Sequence, residues 1–219
     1  EARTKRLERS TLPEADIRLQ VTRGKIELCA LAKGTCKVFK VPEHGKRRFR
    51  CIQHPILANK HTAEDVRVCF TSHELRHKAV LAGEHVIDLD WSAFFDQFAL
   101  NEELRGMFAF RTSNGQVMQM RVMPMGLKHS VAIAHFSTLQ LLNFIWSGKV
   151  YAEAYIDNVR LVNNDKQSLI IDAAKLVCRC WEVFVTPMRV SRASDSTLRS
   201  PWQRRSRSSM RFDEEVWLC

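Results

Sequence analysis

Two short stretches carry the side chains best suited to chemistry. Tyr155-Ile156-Asp157-Asn158 sits between apolar residues, Val150 and Ala154 before it and Val159, Leu161 and Val162 after it. This is the pattern of a β-hairpin whose tip presents an aspartate and an asparagine. Upstream, Val86-Ile87-Asp88-Leu89-Asp90 reads as a buried strand ending in aspartate. Carboxylates carried on two rigid strands are what a two-metal centre requires, because hard cations about 4 Å apart need oxygen ligands that do not move.

The composition narrows the function classes. Of 219 residues, 45% are hydrophobic and 26% charged, which is ordinary for a globular protein, but the net charge is +10. Such an excess favours polyanions, nucleic acid or an anionic membrane surface. No apolar run approaches the ~18 residues of a membrane span. Seven cysteines are scattered without a C-x-x-C pair, the usage of reduced thiols rather than of a disulfide scaffold or zinc finger. The expected location is intracellular, cytoplasm or nucleus.

The elements that must position the acidic groups can be placed in order. Residues 1–36 are weakly patterned, and Val21 to Ala32 fits a helix or a strand equally. Two strand-like runs flank the turn at His44-Gly45, and Lys46, Arg47, Arg48 and Arg50 crowd it. On a hairpin they form a cationic fork suited to a triphosphate or a template backbone. Thr71-Ser72 and Gly83 bracket a helix. That helix contains His73-Glu74-Leu75-Arg76-His77, which formally matches the zinc-protease pattern H-E-x-x-H, although Arg76 and Lys78 are cations where uncharged residues are expected and no third ligand is evident.

Beyond the Asp90 strand comes a short aromatic helix from Ser92 to Phe98. A hairpin turning at Ser113-Asn114-Gly115 follows. Met123-Pro124-Met125-Gly126-Leu127 then leads into a long helix with Ser130 as N-cap. After the Tyr155 hairpin, a helix near Ser168 to Cys180 and a last strand over Glu182 to Thr186 are expected. The remaining residues, 188–219, are rich in Ser and Arg and are expected to be disordered or only loosely docked.

Three blocks in this order resemble the reverse transcriptases of retroelements, of the LTR type or the tyrosine-recombinase (DIRS-like) type. Asp90-Trp-Ser-Ala-Phe94-Phe95 is similar to the family's first catalytic motif. Phe108 to Thr112, with Met123-Pro-Met-Gly-Leu-Lys-His-Ser130, is similar to its fingers hairpin and P-x-G-L-x-x-S turn. Tyr155-Ile-Asp157-Asn158 is similar to its Tyr-x-Asp-Asp hairpin. The stretch Gly45 to Asn59 also looks like the family's first fingers hairpin.

The resemblance implies an α+β fingers–palm fold, with fingers over residues 37–85, a palm over 86–187 whose antiparallel sheet packs on helices, and a fingers hairpin at about 105–123. It implies RNA-directed DNA synthesis from dNTPs on an RNA template and DNA primer. Asp90 and Asp157, assisted by Asn158, would hold Mg2+ or Mn2+. Asp88 competes for the first role, and Asp90 is preferred because Phe95 then falls on the family's sugar-reading aromatic. Lys46, Arg47 and Arg50 would grip the triphosphate, and Met125 and Gly126 would lie beside the nascent base pair.

The chain departs from the pattern in three places. Asn158 stands where the family usually has a second aspartate, Arg160 replaces an apolar residue of the return strand, and no lysine follows Lys175. No thumb or RNase H sequence is recognisable, so a truncated or degenerate element, or a piece of a longer polyprotein, is expected. A decayed or domesticated nucleic-acid-binding module is the alternative reading.

Overall fold

The computed structural model describes residues 7–45, 47–62, 66–145, 148, 150–183 and 188–195. The chain divides into two compact units, residues 1–67 with 93–133, and residues 68–92 with 134–219.

The first unit opens with helix α1 (Glu14–Thr22), followed by strands β1 (Ile26–Leu28), β2 (Lys37–Pro42) and β3 (Phe49–His54) and the short helix α2 (Ile56–His61). The ambiguous stretch from Val21 thus ends a helix and then becomes a strand. The β2–β3 hairpin forms as the sequence suggests, in the register Val41↔Arg50 and Lys40↔Cys51.

Helix α3 (His73–Ala82) and strand β4 (His85–Trp91) belong to the second unit. The first unit then resumes with a 3-10 turn (Phe94–Gln97), helix α4 (Glu102–Arg105), and strands β5 (Ala109–Arg111) and β6 (Val117–Met120). Strands β1, β6 and β5 make an antiparallel sheet in that order. Its core gathers Leu12, Ile17, Ile26, Val38, Phe108, Phe110, Met118 and Met120.

Helix α5 spans Ser130–Ile145, and from Ala134 onward it belongs to the second unit. Ser130 is its first residue, one position inside the expected N-cap, and its hydroxyl donates to the carbonyl of Pro124 at 2.6 Å. Strands β7 (Tyr151–Tyr155) and β8 (Asn158–Asn163), helix α6 (Lys166–Val183) and strand β9 (Met188–Asp195) follow.

With β4, these three strands form a four-stranded antiparallel sheet in the order β7-β8-β4-β9. Leu89, Val159 and Leu161 are fully buried on it, and α6 packs on β8 and β4 with Leu169, Leu176 and Cys180 buried.

Two expectations for the C-terminal part are corrected. Asp165 accepts from the amides of Gln167 and Ser168, so α6 starts earlier than Ser168, and its apolar face Leu169-Ala173-Leu176-Val177-Cys180 carries it through Glu182 and Val183 in place of a strand. Residues 184–187 lie outside the described residues. The last strand is instead β9, inside the stretch expected to be disordered or only loosely docked. Composition marked that stretch as a tail, but β4 is a central, largely apolar strand whose second edge needs a hydrogen-bonding partner, and residues 188–195 supply it. The rest of that stretch, 196–219, lies outside the described residues.

Among the described residues, no helix is long and apolar enough to cross a membrane. Cys29, Cys36, Cys51, Cys69, Cys178 and Cys180 are free thiols. Burial pushes the Cys36 and Cys180 thiols up to about 12, which makes both inert packing groups.

Leu89 is the central apolar residue of β4, and its removal tests the packing that holds the sheet on α6. Leu89→Ala is expected to cost about 2–5 kcal/mol of unfolding free energy, read from the urea midpoint at constant slope. A shift below the range of a surface substitution would contradict this core placement.

Candidate active site

The acidic residues come together because β4 and β8 pair antiparallel in the register Leu89↔Val159, Asp88↔Arg160 and Asp90↔Asn158. Side chains alternate across a strand, so burying Leu89 and Val159 on α6 turns Asp88, Asp90, Asn158 and Arg160 to the opposite face. The Trp91 amide donates to the carbonyl of Asp157 at 3.2 Å, which ties the end of β4 to the hairpin tip. Asp90, Asp157 and Asn158 are thereby brought to one end of the sheet.

Asp88, the competing candidate, is engaged otherwise. Arg160 donates to both of its carboxylate oxygens, at 2.7 and 2.9 Å. This bidentate bond, only partly opposed by burial, raises the Arg160 guanidinium above its ordinary value. The charged row continues across the sheet. Glu153 is the register partner of Arg160 on β7, is buried, and accepts from Arg76 of α3 at 2.6 Å. Arg76 also lies over the Tyr155 ring at 5.2 Å. Together Arg76, Asp88, Glu153, Tyr155, Asn158 and Arg160 line an open pocket.

The donor set available to a metal fits a hard divalent cation. Asp90 and Asp157 offer carboxylate oxygens at the end of paired strands, and magnesium takes one or two protein carboxylates and completes its shell with water and phosphate. Asn158 is exposed, and its side-chain amide donates to Oδ1 of Asp157 at 3.2 Å. Where the family pattern places a second negative charge, this chain places a hydrogen-bond donor.

The turn that aims Asp157 is strained. Ile156 adopts φ 58°, a left-handed conformation that is an outlier for a β-branched residue and costs roughly 1–3 kcal/mol. Both of its backbone polar groups are held from α5. Its amide donates to Nδ1 of His135 at 3.3 Å, and its carbonyl accepts from the hydroxyl of Thr138 at 2.7 Å. Burial lowers the His135 pKa against an opposing hydrogen bond with the Cys69 backbone, a direction that favours the neutral ring, whose unprotonated nitrogen can accept. Sequence reasoning missed both residues. The pair lies one turn apart in a helix that also carries Ser137, Gln140 and Asn143, so polarity alone did not single it out.

The other expected site residues lie in the first unit. Lys46 lies outside the described residues. Arg47 is exposed, while Arg48 and Arg50 both bond to Glu43 across the β2–β3 turn, at 2.6 and 3.2 Å. Part of the cationic fork is therefore neutralised by a carboxylate not singled out in the sequence. Phe94 is buried and packs edge-on to Phe98, while Phe95 remains half-buried.

Met125 is exposed. Gly126 is pinned on β3: its amide donates to the carbonyl of Gln53, and an added Cβ would lie 2.3 Å from that oxygen. Asn59 completes the turn by donating to the Gly126 carbonyl and accepting from the Lys128 amide, each at 2.8 Å. The close approach that requires glycine is thus to a neighbouring strand.

The family model described as reverse transcriptase (RNA-dependent DNA polymerase) matches residues 26–186. The chain belongs to the reverse transcriptase family. Solved structures with a similar fold include a foamy viral protease–reverse transcriptase (dRH) in complex with double-stranded DNA, 16% identical, covering 86% of this chain and 32% of that one with a TM-score of 0.68. A prototype foamy virus protease–reverse transcriptase mutant (CSH) is likewise 16% identical, covering 87% of this chain and 26% of that one, with a TM-score of 0.67. The native form of that protein aligns at 17% identity over 82% of this chain and 23% of that one, with a TM-score of 0.64.

These likenesses establish the fold, α+β with antiparallel sheets, as the resemblance implied. The chain spans about a quarter to a third of the length of those proteins. No curated protein sequence gives a significant match.

The Asp88–Arg160 pair places two opposite charges on the β4–β8 sheet, and a double-mutant cycle measures their coupling. Arg160→Leu is expected to cost about 1.5–3 kcal/mol, because it strips two charged hydrogen bonds from a mostly covered carboxylate. Asp88→Asn with Arg160→Leu should recover part of that loss. Strict additivity in thermal or urea unfolding would show the pair to be uncoupled.

Proposed function

We propose that the chain is the nucleotidyl-transfer portion of an RNA-directed DNA polymerase, extending a primer 3′-hydroxyl with dNTPs on an RNA template. The observation that carries this reading is the convergence of Asp90 and Asp157 at one end of the β4–β8 ladder, with Asp88 occupied by Arg160. Magnesium or manganese held by Asp90 and Asp157 would supply the positive charge that orients the hydroxyl and neutralises the triphosphate.

The chain's own groups have assigned parts. The two carboxylates concentrate negative charge on rigid strands. Arg47 and Arg50, with Lys46, bind the triphosphate through charged hydrogen bonds. Phe95 abuts the 2′ position of the sugar and excludes ribonucleotides by overlap. Met125 and the Gly126 turn support the nascent base pair. Contacts to the nucleic-acid backbone are electrostatic, in keeping with a net charge of +10.

A second reading, a module that binds nucleic acid without catalysis, draws on one observation. Asn158 supplies no second charge, and its amide occupies a carboxylate oxygen of Asp157, so metal affinity should be lower than with aspartate. The zinc-protease reading gains nothing here. The His73 and His77 rings stack at 6.3 Å, but Glu74 is paired to Lys78 and Arg76 to Glu153, and no metal-binding group of three His, Cys, Asp or Glu occurs among the described residues.

Primer extension on an RNA template separates the first two readings. The wild type should extend with Mg2+ or Mn2+. Asp157→Ala should fall at least about a hundredfold, the equivalent of ~2.7 kcal/mol of barrier, and Asn158→Asp should saturate at lower metal concentration. If the wild type binds primer–template but is silent, and Asn158→Asp does not restore synthesis, the polymerase reading is lost and the binding module remains.

The charge of the β2–β3 fork gives a further test. Glu43→Gln releases Arg48 and Arg50 from their intramolecular pairing and should tighten triphosphate binding by a few-fold at low salt, with the gain fading as salt is raised. An unchanged affinity would remove this hairpin from the binding site.

A further inference from the structure

The left-handed peptide at Ile156 is a backbone state that the local sequence does not favour, since nothing in Tyr-Ile-Asp-Asn supplies a glycine. Something outside the hairpin must hold it. The hydrogen bonds to both polar groups of that residue come from a single helix. The His135 side chain accepts from the amide, and the Thr138 hydroxyl donates to the carbonyl.

Both side chains are buried, His135 at 3% exposure and Thr138 at 0%. A buried threonine in a helix ordinarily satisfies itself on the carbonyl four residues back. Thr138 has that option, with the Ala134 carbonyl at 3.1 Å, yet its shorter bond, 2.7 Å, goes to Ile156. Phe70 closes the same spot, its ring 4.9 Å from His135 and 4.7 Å from Tyr155.

We propose that His135 and Thr138 are positioning residues that clamp the backbone on both sides of the Ile156 Cα and thereby aim the neighbouring Asp157 carboxylate. The inference rests on the reading of Asp157 as a metal ligand. Neither side chain need touch substrate. The amide and the carbonyl of Ile156 belong to the peptide units on either side of its Cα, so holding both fixes the backbone rotations at that residue, and the side chain of the next residue leaves it in a fixed direction. Freed from the clamp, Ile156 relaxes toward negative φ and Asp157 swings with it. The binding surfaces for nucleic acid and nucleotide stay as they were, so the loss should fall on turnover and metal affinity.

The test uses the purified chain. Single-nucleotide extension yields kcat and KM, and titration with Mn2+ alone, followed by electron paramagnetic resonance, yields metal affinity without any need for turnover. Thr138→Val keeps the side-chain shape and loses the donor. It should lower kcat about tenfold and weaken Mn2+ binding several-fold, with the KM for dNTP and the affinity for primer–template unchanged.

Thr138→Ser, which restores the hydroxyl, should return both quantities to wild-type values. His135→Leu should act like Thr138→Val, and His135→Asn, which can present an acceptor near the Nδ1 position, should recover part of the loss. This second pair carries the test if Thr138→Val does not fold.

Wild-type kcat and Mn2+ affinity in Thr138→Val and His135→Leu would overturn the clamp while leaving the polymerase reading intact. So would an equal loss in Thr138→Ser, which would mark the site as ordinary packing. A wild type that neither extends a primer nor binds Mn2+ overturns the polymerase reading itself, and the clamp with it.

Discussion

The period of the β4–β8 ladder governs the arrangement at the candidate site. Successive side chains of a strand face opposite ways, so once Leu89 and Val159 are buried on α6, Asp90 and Asn158 have no choice of face. A slip of one residue in this register would bury the acids and expose the apolar row. The apolar face is what fixes the register. The energy that assembles the acidic site is therefore hydrophobic and lies on the far side of the sheet from the acids themselves.

That same alternation delivers Asp88, Arg160 and Glu153 to the acidic face, where they would crowd the candidate metal ligands with charge. The protein resolves this by pairing. Arg160 binds Asp88 through both oxygens, and Arg76 binds Glu153. Asp88 is thereby engaged by a guanidinium, while Asp90 lies at the strand end beside the hairpin tip. An arginine on the return strand, a departure from the family pattern, thus acquires a physical role. Asn158 is a different matter, because its amide bonds to the carboxylate that it would have to assist.

Strain and its compensation form the other half of the arrangement. A two-residue hairpin connection with a β-branched residue at positive φ is unfavourable in isolation. Helix α5 supplies an acceptor and a donor at the required spacing, one turn apart, and both groups are buried. In the first unit, Gly126 shows the same logic with opposite means. There the backbone itself approaches the Gln53 carbonyl, and only the absence of a side chain permits it.

The sequence by itself determined the local elements and the family. Apolar runs marked β4, β7 and β8, turn residues marked the β2–β3 and β5–β6 hairpins, and Ser72 marked the start of α3. In each case the signal lies within a few residues of the element it specifies. The ordered set of three motif blocks was enough to name the reverse transcriptase family, whose model matches residues 26–186.

What only the tertiary structure decided are contacts between residues distant in the chain. Asp88 and Arg160 are 72 residues apart, His135 and Ile156 are 21 apart, and Asn59 and Gly126 are 67 apart. No local pattern encodes such pairs. The strand β9 was missed for the same reason: its Ser- and Arg-rich composition has no hydrophobic period of its own, and it becomes a strand because the edge of β4 offers unpaired backbone groups to bind.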